Sequence, residues 1–357
     1  MCFRSVGYGL LTPQTSLETR RLGSAGPEVS VVGFGAWAIG GGGWAFGWGH
    51  QEDDESVAAI RHALAKGVTW IDTAAVYGRG HSEEVVARAL ADVPASERPH
   101  VFTKCGLRWG DDPFGPAEQS LRPDSIRYEC EQSLRRLRVE RIDLYQFHWP
   151  DKTGTPVEES WGEMSRLVDE GKVRWAGVSN FDVGLLERCE RIRHVDSLQP
   201  PFSLLTRDTA GELLGWCREH GTGVIVYSPM ESGLLTGAFT RERVKSLPDD
   251  DWRRSAEEFN DPMLSRNLQL VEELKPIAER HGVELPALVV AWCLAWRGVT
   301  AAIVGARRPS QVDGWLPAGK LELTDDDLRQ IQQALERLGV GSGPTAVPVQ
   351  TATRGAV

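Results

Sequence analysis

The chain has 357 residues, of which 41% are hydrophobic and 25% are charged, the proportions of an ordinary globular protein. Its 40 lysines and arginines against 50 aspartates and glutamates give a net charge of −10, which argues against nucleic acid or an anionic membrane as a partner. No run approaches the ~18 apolar residues that a membrane span needs. The six cysteines form no CxxC pair and no zinc spacing, so free thiols in a cytoplasmic protein are expected.

The middle of the chain alternates short apolar runs with amphipathic segments. The predicted strands cover residues 31–35, 70–72, 101–104, 142–148, 173–179, 197–199, 223–227 and 300–304. The predicted helices cover residues 55–65, 82–90, 123–137, 157–170, 183–191, 210–220, 261–281, 285–296, 310–315 and 325–338. Eight strands that alternate with helices, without a linker-like break, predict an α/β fold of one domain, a (β/α)8 TIM barrel.

The runner-up is a doubly wound open sheet, which would need GxGxxG after an early strand. The run Gly40 to Gly43 has no glycine at the third required place, so the dinucleotide fingerprint is absent. The barrel is expected over residues 19–338. Residues 1–13 show no signal-peptide pattern, and residues 1–18 are expected to be an irregular extension. Residues 339–357, rich in Gly, Pro, Thr and Ala, are expected to be a mobile tail.

Four polar residues lie at or just past the ends of predicted strands. They are Asp72, Tyr77, Lys104 and His148. Because successive parallel strands of such a barrel end on one face, the sequence predicts that these four side chains share a site.

The four groups suit proton transfer to a carbonyl oxygen. A phenol has an ordinary pKa of about 10, and a nearby ammonium such as Lys104 favours the phenolate and would lower the pKa of Tyr77. Asp72 would pair with Lys104, and His148 would donate a hydrogen bond to the carbonyl oxygen. Asp and Lys at strand ends are often only structural ion pairs, so the interpretation needs all four groups. Metal binding is not expected, because Lys and Tyr are uncommon ligands and the set holds one histidine.

Two long segments follow strands on the same predicted face. Residues 40–54 carry Trp44, Phe46 and Trp48 between glycines, either as a substrate lid or as rings that pack on the top of the barrel. Residues 232–261 follow the seventh strand and are expected to fold over a ligand.

Several motifs occur in order along the chain: residues 70–78 (WIDTAAVYG), 80–83 (GHSE), 103–106 (TKCG), 145–151 (YQFHWPD), 177–181 (GVSNF), 227–230 (YSPM), 233–237 (GLLTG) and 303–307 (IVGAR). With these motifs the chain resembles the aldo-keto reductase superfamily from about Thr19 to Leu338, most closely its prokaryotic branch similar to potassium-channel β-subunits. The resemblance implies that Tyr77 is the general acid, that Lys104 and Asp72 tune it, and that His148 orients the carbonyl.

The resemblance also implies a nicotinamide cofactor, NADPH or less often NADH. Ser179, Asn180 and Gln199 match the residues that hold the carboxamide, and Tyr227 matches the ring stacked on the nicotinamide. The matching cofactor set is Gly35, Ala36, Trp37, Asp72, Ser179, Asn180, Gln199, Tyr227, Ser228, Pro229, Met230, Ser232, Gly233, Leu235, Ile303, Gly305, Arg307 and Gln311.

The residues that would hold the adenosine end of the cofactor are assigned from fewer matching positions. Arg307 is expected to bind the 2′-phosphate, since a guanidinium makes bidentate bonds to phosphate and a helix begins at Pro309. The alternative is a solvated basic pair of Arg307 and Arg308. Two positions depart from the branch, Ala238 where Lys is common and Trp315 where Asn is common, and both bear on the preference for NADP.

These features predict an NADP-dependent oxidoreductase that reduces an aldehyde or ketone. Keto-sugar or natural-product ketoreduction, alcohol oxidation in the reverse direction, and a redox-sensing regulatory subunit that only binds the cofactor are the alternatives. The expected substrate pocket is Trp37, Tyr77, Trp109, His148 and Trp149. A small-molecule carbonyl substrate is the expected partner, and a homo-oligomer is left open.

Overall fold

The computed structural model describes residues 17–249 and 251–348, which form twelve strands and eleven α-helices. The strands are β1 (Thr19–Arg21), β2 (Glu28–Ser30), β3 (Val32–Gly35), β4 (Trp70–Asp72), β5 (His100–Cys105), β6 (Leu107–Arg108), β7 (Glu118–Gln119), β8 (Ile142–Phe147), β9 (Val173–Ser179), β10 (Ser197–Gln199), β11 (Gly223–Val226) and β12 (Ala301–Gly305). The helices are α1 (Asp53–Ala65), α2 (His81–Ala89), α3 (Pro123–Leu137), α4 (Val157–Asp169), α5 (Val183–Glu190), α6 (Leu213–His220), α7 (Arg241–Lys245), α8 (Met263–Arg280), α9 (Leu285–Leu294), α10 (Pro309–Trp315) and α11 (Asp325–Leu338).

Eight of these strands close into a parallel barrel in the order β3-β4-β5-β8-β9-β10-β11-β12. The predicted (β/α)8 barrel is therefore confirmed, and each barrel strand begins and ends within about one residue of its predicted bounds. Parallel pairing places Gly35 beside Asp72, and Lys104 beside Gln146. The ends of β4, β5 and β8 consequently meet on one face of the barrel, as the sequence analysis required.

Side chains alternate across the barrel wall. On β8, Tyr145 and Phe147 belong to the large core between strands and helices, whereas Leu144 belongs to the core inside the barrel. This alternation follows from the two-residue period of a strand. It places Gln146, two residues beyond Leu144, on the interior side as well.

Two antiparallel hairpins, β1–β2 and β6–β7, were not predicted from the sequence. Strands of two or three residues show too little alternation to be recognised. The first hairpin closes the amino-terminal end of the barrel, where Leu22 and Val29 pack with Trp70. The indole of Trp70 donates to the Ser30 carbonyl at 2.8 Å. A Cβ at Gly33 would lie 2.1 Å from that ring, so only glycine fits there.

The chain beyond α11 departs from the expectation of a mobile tail that starts at Gly339. Within residues 339–348, Val340 and Val347 are buried. The guanidinium of Arg207 donates to the carbonyls of Val340 and Pro344, at 3.1 and 3.0 Å. These bonds satisfy a buried cation and hold the segment against the loop after β10. Residues 349–357, and residues 1–16 of the extension expected over residues 1–18, lie outside the described residues.

Across the described ranges, no helix combines the length and apolarity needed to cross a bilayer. Five cysteines fall in these ranges, and all are buried and free: Cys105, Cys130, Cys189, Cys217 and Cys293. Burial raises the pKa of the Cys105 thiol well above its ordinary value, which leaves it unreactive.

Candidate active site

The four predicted polar residues converge at the carboxyl-terminal mouth of the barrel. Asp72 is the last residue of β4, Lys104 lies one residue before the end of β5, and His148 follows β8 directly. Tyr77 begins a short turn after β4, in which Gly78 packs so closely on Gly40 that a Cβ would lie 2.2 Å from the Gly40 carbonyl oxygen. This contact, which only glycine allows, fixes the backbone beside the phenol.

Lys104 and Asp72 form a fully buried ion pair. The Lys104 ammonium also donates to the Thr73 carbonyl at 3.0 Å and to the Tyr77 hydroxyl at 3.4 Å. Its Nζ lies 5.1 Å from the centre of the Tyr77 ring. The expected linkage of carboxylate, ammonium and phenol is therefore present in the geometry, with the last contact at the long end of hydrogen bonding.

Burial dominates the protonation of these groups. It raises the pKa of Tyr77 well above its ordinary value, and the charge of Asp72 adds to the rise. It lowers the pKa of Lys104, against the opposing effect of Asp72. The sequence analysis expected Lys104 to lower the pKa of Tyr77, but desolvation of the phenolate outweighs that attraction here. Tyr77 is consequently a protonated phenol at neutral pH, which can donate a proton.

His148 stands beside the phenol as a neutral imidazole. Its ring centre lies 5.6 Å from that of Tyr77, at an interplanar angle of 81°. Burial lowers the pKa of His148 well below its ordinary value, and Lys104 lowers it further. The neutral ring can share a ligand oxygen with Tyr77 without adding charge to the site.

The predicted carboxamide residues form a network of their own. The Tyr227 hydroxyl donates to Asn180 Oδ1 at 2.9 Å. Asn180 Nδ2 donates to the His148 carbonyl at 2.9 Å and to Ser179 Oγ at 3.1 Å. Gln199 Nε2 donates to Asp72 at 2.9 Å instead of facing outward. The residues expected to hold a nicotinamide are thus joined directly to the acid-tuning pair.

A cavity of about 1330 Å³ opens above this network. Its volume exceeds the 300–1,000 Å³ usual for drug-sized ligands, so it suits a dinucleotide together with a small substrate. It is lined by nearly all of the expected residues: Gly35, Ala36, Trp37, Asp72, Tyr77, His148, Trp149, Ser179, Asn180, Gln199, Tyr227, Ser228, Pro229, Met230, Ser232, Gly233, Ile303, Gly305, Arg307 and Gln311.

Three expected residues do not line this cavity. Lys104 lies behind Tyr77, and Leu235 is fully buried in the core. Trp109, expected in the substrate pocket, packs instead against the small cluster of Trp44, Ala74 and Val76. Trp109 directly follows β6, within the β6–β7 hairpin that the sequence did not reveal, so the direction of its side chain could not be inferred.

The tryptophans of the long loop after β3 pack over the mouth of the cavity. Trp37 stacks on Tyr77 on one side, at 6.2 Å between ring centres, and on Trp252 on the other, at 5.6 Å. Trp48 meets Trp37 edge-on at 5.2 Å. Trp44 is buried, while 51% of Phe46 is exposed. Of the two expectations for this loop, a substrate lid or rings packed on the top of the barrel, the second describes Trp44 and Trp48.

Arg307 holds the same loop in place. Its guanidinium donates to Gln51 Oε1 at 2.5 Å, to the Trp48 carbonyl at 3.1 Å and to the His50 carbonyl. Burial lowers the pKa of Arg307, and neighbouring Arg253 and Arg308 lower it further, against the opposing charges of Asp251 and Glu55. The guanidinium expected to bind phosphate therefore holds the tryptophan loop (residues 40–54) in place in this structure.

Three residues of the site were not assigned roles from the sequence. Gln146 donates to Asp72 at 3.3 Å, and Trp252 forms the outer member of the ring stack. Arg253 pairs with Asp251 at 2.6 Å and lies over the Trp48 ring. The only sequence signal for Gln146 is a polar residue inside an apolar strand, and Trp252 and Arg253 lie in a segment without periodicity.

The chain matches the Aldo/keto reductase family over residues 32–336. It belongs to the aldo-keto reductase family. It is 34% identical over 321 residues to the aldo-keto reductase YhdN of Bacillus subtilis (strain 168), covering 90% of this chain and 94% of that protein. It is also 34% identical over 329 residues to the NADH-specific methylglyoxal reductase of Escherichia coli (strain K12), covering 88% and 98%.

Solved structures agree with this assignment. The glycerol dehydrogenase of Gluconobacter oxydans superposes with a TM-score of 0.81 at 37% identity, covering 96% of this chain and 100% of that one. A Bacillus halodurans aldo-keto reductase in its holo form shares the fold, with a TM-score of 0.71 at 24% identity and coverage of 94% and 99%. The chain is therefore an oxidoreductase of a family that acts on small carbonyl compounds with nicotinamide cofactors.

Proposed function

We propose that this aldo-keto reductase reduces an aldehyde or ketone to an alcohol with NADPH, and that Tyr77 is the general acid. The observation that carries the proposal is the protonated, buried phenol of Tyr77 beside the Asp72–Lys104 pair at the wall of a dinucleotide-sized cavity. This reduction needs a proton donor at the carbonyl oxygen and room for a hydride donor at the carbonyl carbon.

The residues of the cavity fit the proposed cofactor. Its reduced nicotinamide supplies hydride to the carbonyl carbon. Ser179, Asn180 and Gln199 lie together at the floor of the cavity, where they would hold the carboxamide. Ser228 and Ser232 have positive φ angles of 56° and 52°, and such backbone strain is characteristic of ligand-binding loops. The loop that follows β11 would cover the pyrophosphate.

The protein groups have separate tasks in the reduction. His148 and Tyr77 together hold the carbonyl oxygen and draw electron density from the carbonyl carbon. Tyr77 then gives its proton to the oxygen as the alkoxide forms. The Lys104 ammonium stabilises the resulting phenolate, and Asp72 keeps that ammonium charged and in place. The packed tryptophans exclude water from the reacting atoms.

Tyr77→Phe tests the acid. The ring stack on Trp37 needs no hydroxyl, so we expect unchanged NADPH affinity and a fall in kcat of roughly 10²- to 10⁴-fold with methylglyoxal as substrate. Stopped-flow oxidation of NADPH and fluorescence titration measure the two quantities. Turnover within about threefold of the wild type in a folded variant would remove Tyr77 from this role.

Preference for NADPH rests on Arg307, with Arg308 beside it. Ala238 and Trp315, the two departures from the branch, also line the cavity. Because Arg307 holds the tryptophan loop as well, Arg307→Gln must be compared for both cofactors. We expect the Kd for NADPH to rise by roughly tenfold or more and that for NADH to stay within about threefold. Equal weakening of both would assign Arg307 to the loop alone.

The reverse reaction is a second candidate function. The relative from Gluconobacter oxydans, whose structure covers 96% of this chain, is a glycerol dehydrogenase. The four side chains serve both directions, because Tyr77 as phenolate can accept the proton of an alcohol. Initial rates with glycerol and NADP⁺, compared with methylglyoxal and NADPH, decide which direction is faster at neutral pH.

A further inference from the structure

Gln146 is a buried polar residue inside the barrel, and the fold makes room for it. It stands between Tyr145 and Phe147 in the sequence of β8, and its own side chain is fully buried on the inner face of the barrel wall. Register places it beside Lys104 on one side and Gly177 on the other. A Cβ at Gly177 would lie 3.1 Å from Gln146 Cγ, so glycine on β9 leaves space for this amide.

The hydrogen bonds around Gln146 have one consistent direction. Gln146 Nε2 lies 3.3 Å from Asp72 Oδ2, and Gln199 Nε2 lies 2.9 Å from the same oxygen. An ionised carboxylate only accepts hydrogen bonds, so both amide nitrogens must face Asp72. Gln146 Oε1 then accepts from Gln199 Nε2 at 3.1 Å. The charge on Asp72 thereby sets the orientation of two amides in succession.

This orientation decides what Gln199 offers to a ligand. With its nitrogen turned inward to Asp72 and Gln146, the Gln199 oxygen is the group left for the cavity that Gln199 lines. Within residues 17–249 and 251–348, no protein group is found to donate to that oxygen. An acceptor in this place suits an N–H donor, such as the amino group of a nicotinamide carboxamide.

We infer that Gln146 is a positioning residue, which holds the Asp72 carboxylate and fixes the Gln199 amide so that its oxygen receives the carboxamide of the cofactor. Gln146 does not line the cavity and acts through these two neighbours. The inference rests on the proposed function. Gln146 thereby links the Gln199 amide, which would receive the cofactor, to the Asp72–Lys104 ion pair that tunes Tyr77.

Cofactor binding provides the first test. Quenching of tryptophan fluorescence gives the Kd for NADPH and for reduced 3-acetylpyridine adenine dinucleotide phosphate, in which a methyl group replaces the carboxamide NH₂. We expect the wild type to prefer NADPH by roughly tenfold, the worth of one hydrogen bond. Gln146→Met keeps the side-chain length but has no amide, and we expect it to reduce this preference at least threefold.

Gln146→Glu provides the second test, because the introduced carboxyl changes with pH. When protonated, it can donate to Asp72 and accept from Gln199, as the amide does. When ionised, it repels Asp72. Burial and the charge of Asp72 raise its pKa against the opposing charge of Lys104 on β5, and with burial dominant the protonated form persists towards neutral pH. We expect kcat near that of the wild type at pH 5 and a relative loss of roughly tenfold or more by pH 9. The loss in Gln146→Met should not depend on pH.

Tyr145→Phe is the matched control, since it changes the adjacent buried side chain of β8 on the other face of the barrel wall, where its hydroxyl neighbours the Cys105 thiol. It should keep the NADPH preference and the pH profile of the wild type. Unchanged preference in Gln146→Met, or the same pH-independent loss in both Gln146 variants, would overturn the role of Gln146 alone. Failure of the wild type to bind NADPH or NADH would overturn the proposed function with it.

Discussion

His148 offers a measurable test of the electrostatics of the site. Its imidazole stays neutral in the folded protein because burial and the nearby Lys104 lower its pKa well below the ordinary value. In the unfolded chain the same ring titrates near pH 6.5. As the pH falls below 6.5, the unfolded chain therefore gains a proton that the folded protein does not. The stability that the neutral ring contributes is present above pH 6.5 and is lost on acidification.

The size of this loss follows from proton linkage. Each pH unit below 6.5 costs about 1.4 kcal/mol for one group that remains unprotonated in the folded state. Between pH 7.5 and 5.0 the wild type should lose about 2 kcal/mol of unfolding free energy through His148. His148→Gln is neutral at every pH, so its stability should fall by that much less over the same range.

Urea unfolding at pH 5.0, 6.0 and 7.5 measures the difference, because titration of all other groups is common to both proteins. His220→Gln on α6 is the control for the loss of one imidazole outside the active site. If His148→Gln and the wild type lose stability in parallel, within about 0.5 kcal/mol, the folded protein must protonate the ring. His148 would then be an imidazolium in the site, and the neutral hydrogen-bonding role would be wrong.

Three further perturbations follow from the same structure. Lys104→Met leaves the buried Asp72 carboxylate without its cation, and we expect the unfolding free energy measured by urea titration to fall by about 3 kcal/mol. An unchanged midpoint of urea unfolding would mean that Asp72 is protonated in the variant. Trp252→Ala removes the outer ring of the stack on Trp37. The ratio of kcat/KM for an aryl ketone to that for methylglyoxal should therefore rise by roughly threefold or more. An unchanged ratio would exclude Trp252 from the pocket. Arg207→Lys replaces a guanidinium that bonds to the carbonyls of Val340 and Pro344 with a single ammonium, so limited proteolysis should cleave residues 340–344 about tenfold faster. An unchanged rate would show that apolar packing alone retains this segment.

The residue pattern predicted the barrel because its information is local. Apolar runs of the right length, alternating with amphipathic helices, define eight strands and the face on which Asp72, Lys104 and His148 gather. Parallel strands in a barrel must end together, so position in the chain sufficed to bring these groups to one site. Tyr77 required more, since it lies in a turn whose geometry depends on the close contact of Gly78 with Gly40.

Tertiary structure decided the direction in which the pKa of Tyr77 shifts, and it gave Arg307 contacts that its position in the sequence does not predict. The sequence places Lys104 near Tyr77, but only burial determines that the pKa of the phenol rises instead of falling. Arg307 could be read as an anion-binding group, yet its contacts with Trp48 and Gln51 come from a loop more than 250 positions away. Desolvation and contacts between distant segments depend on how the whole chain packs, and neither is written in any local pattern of residues.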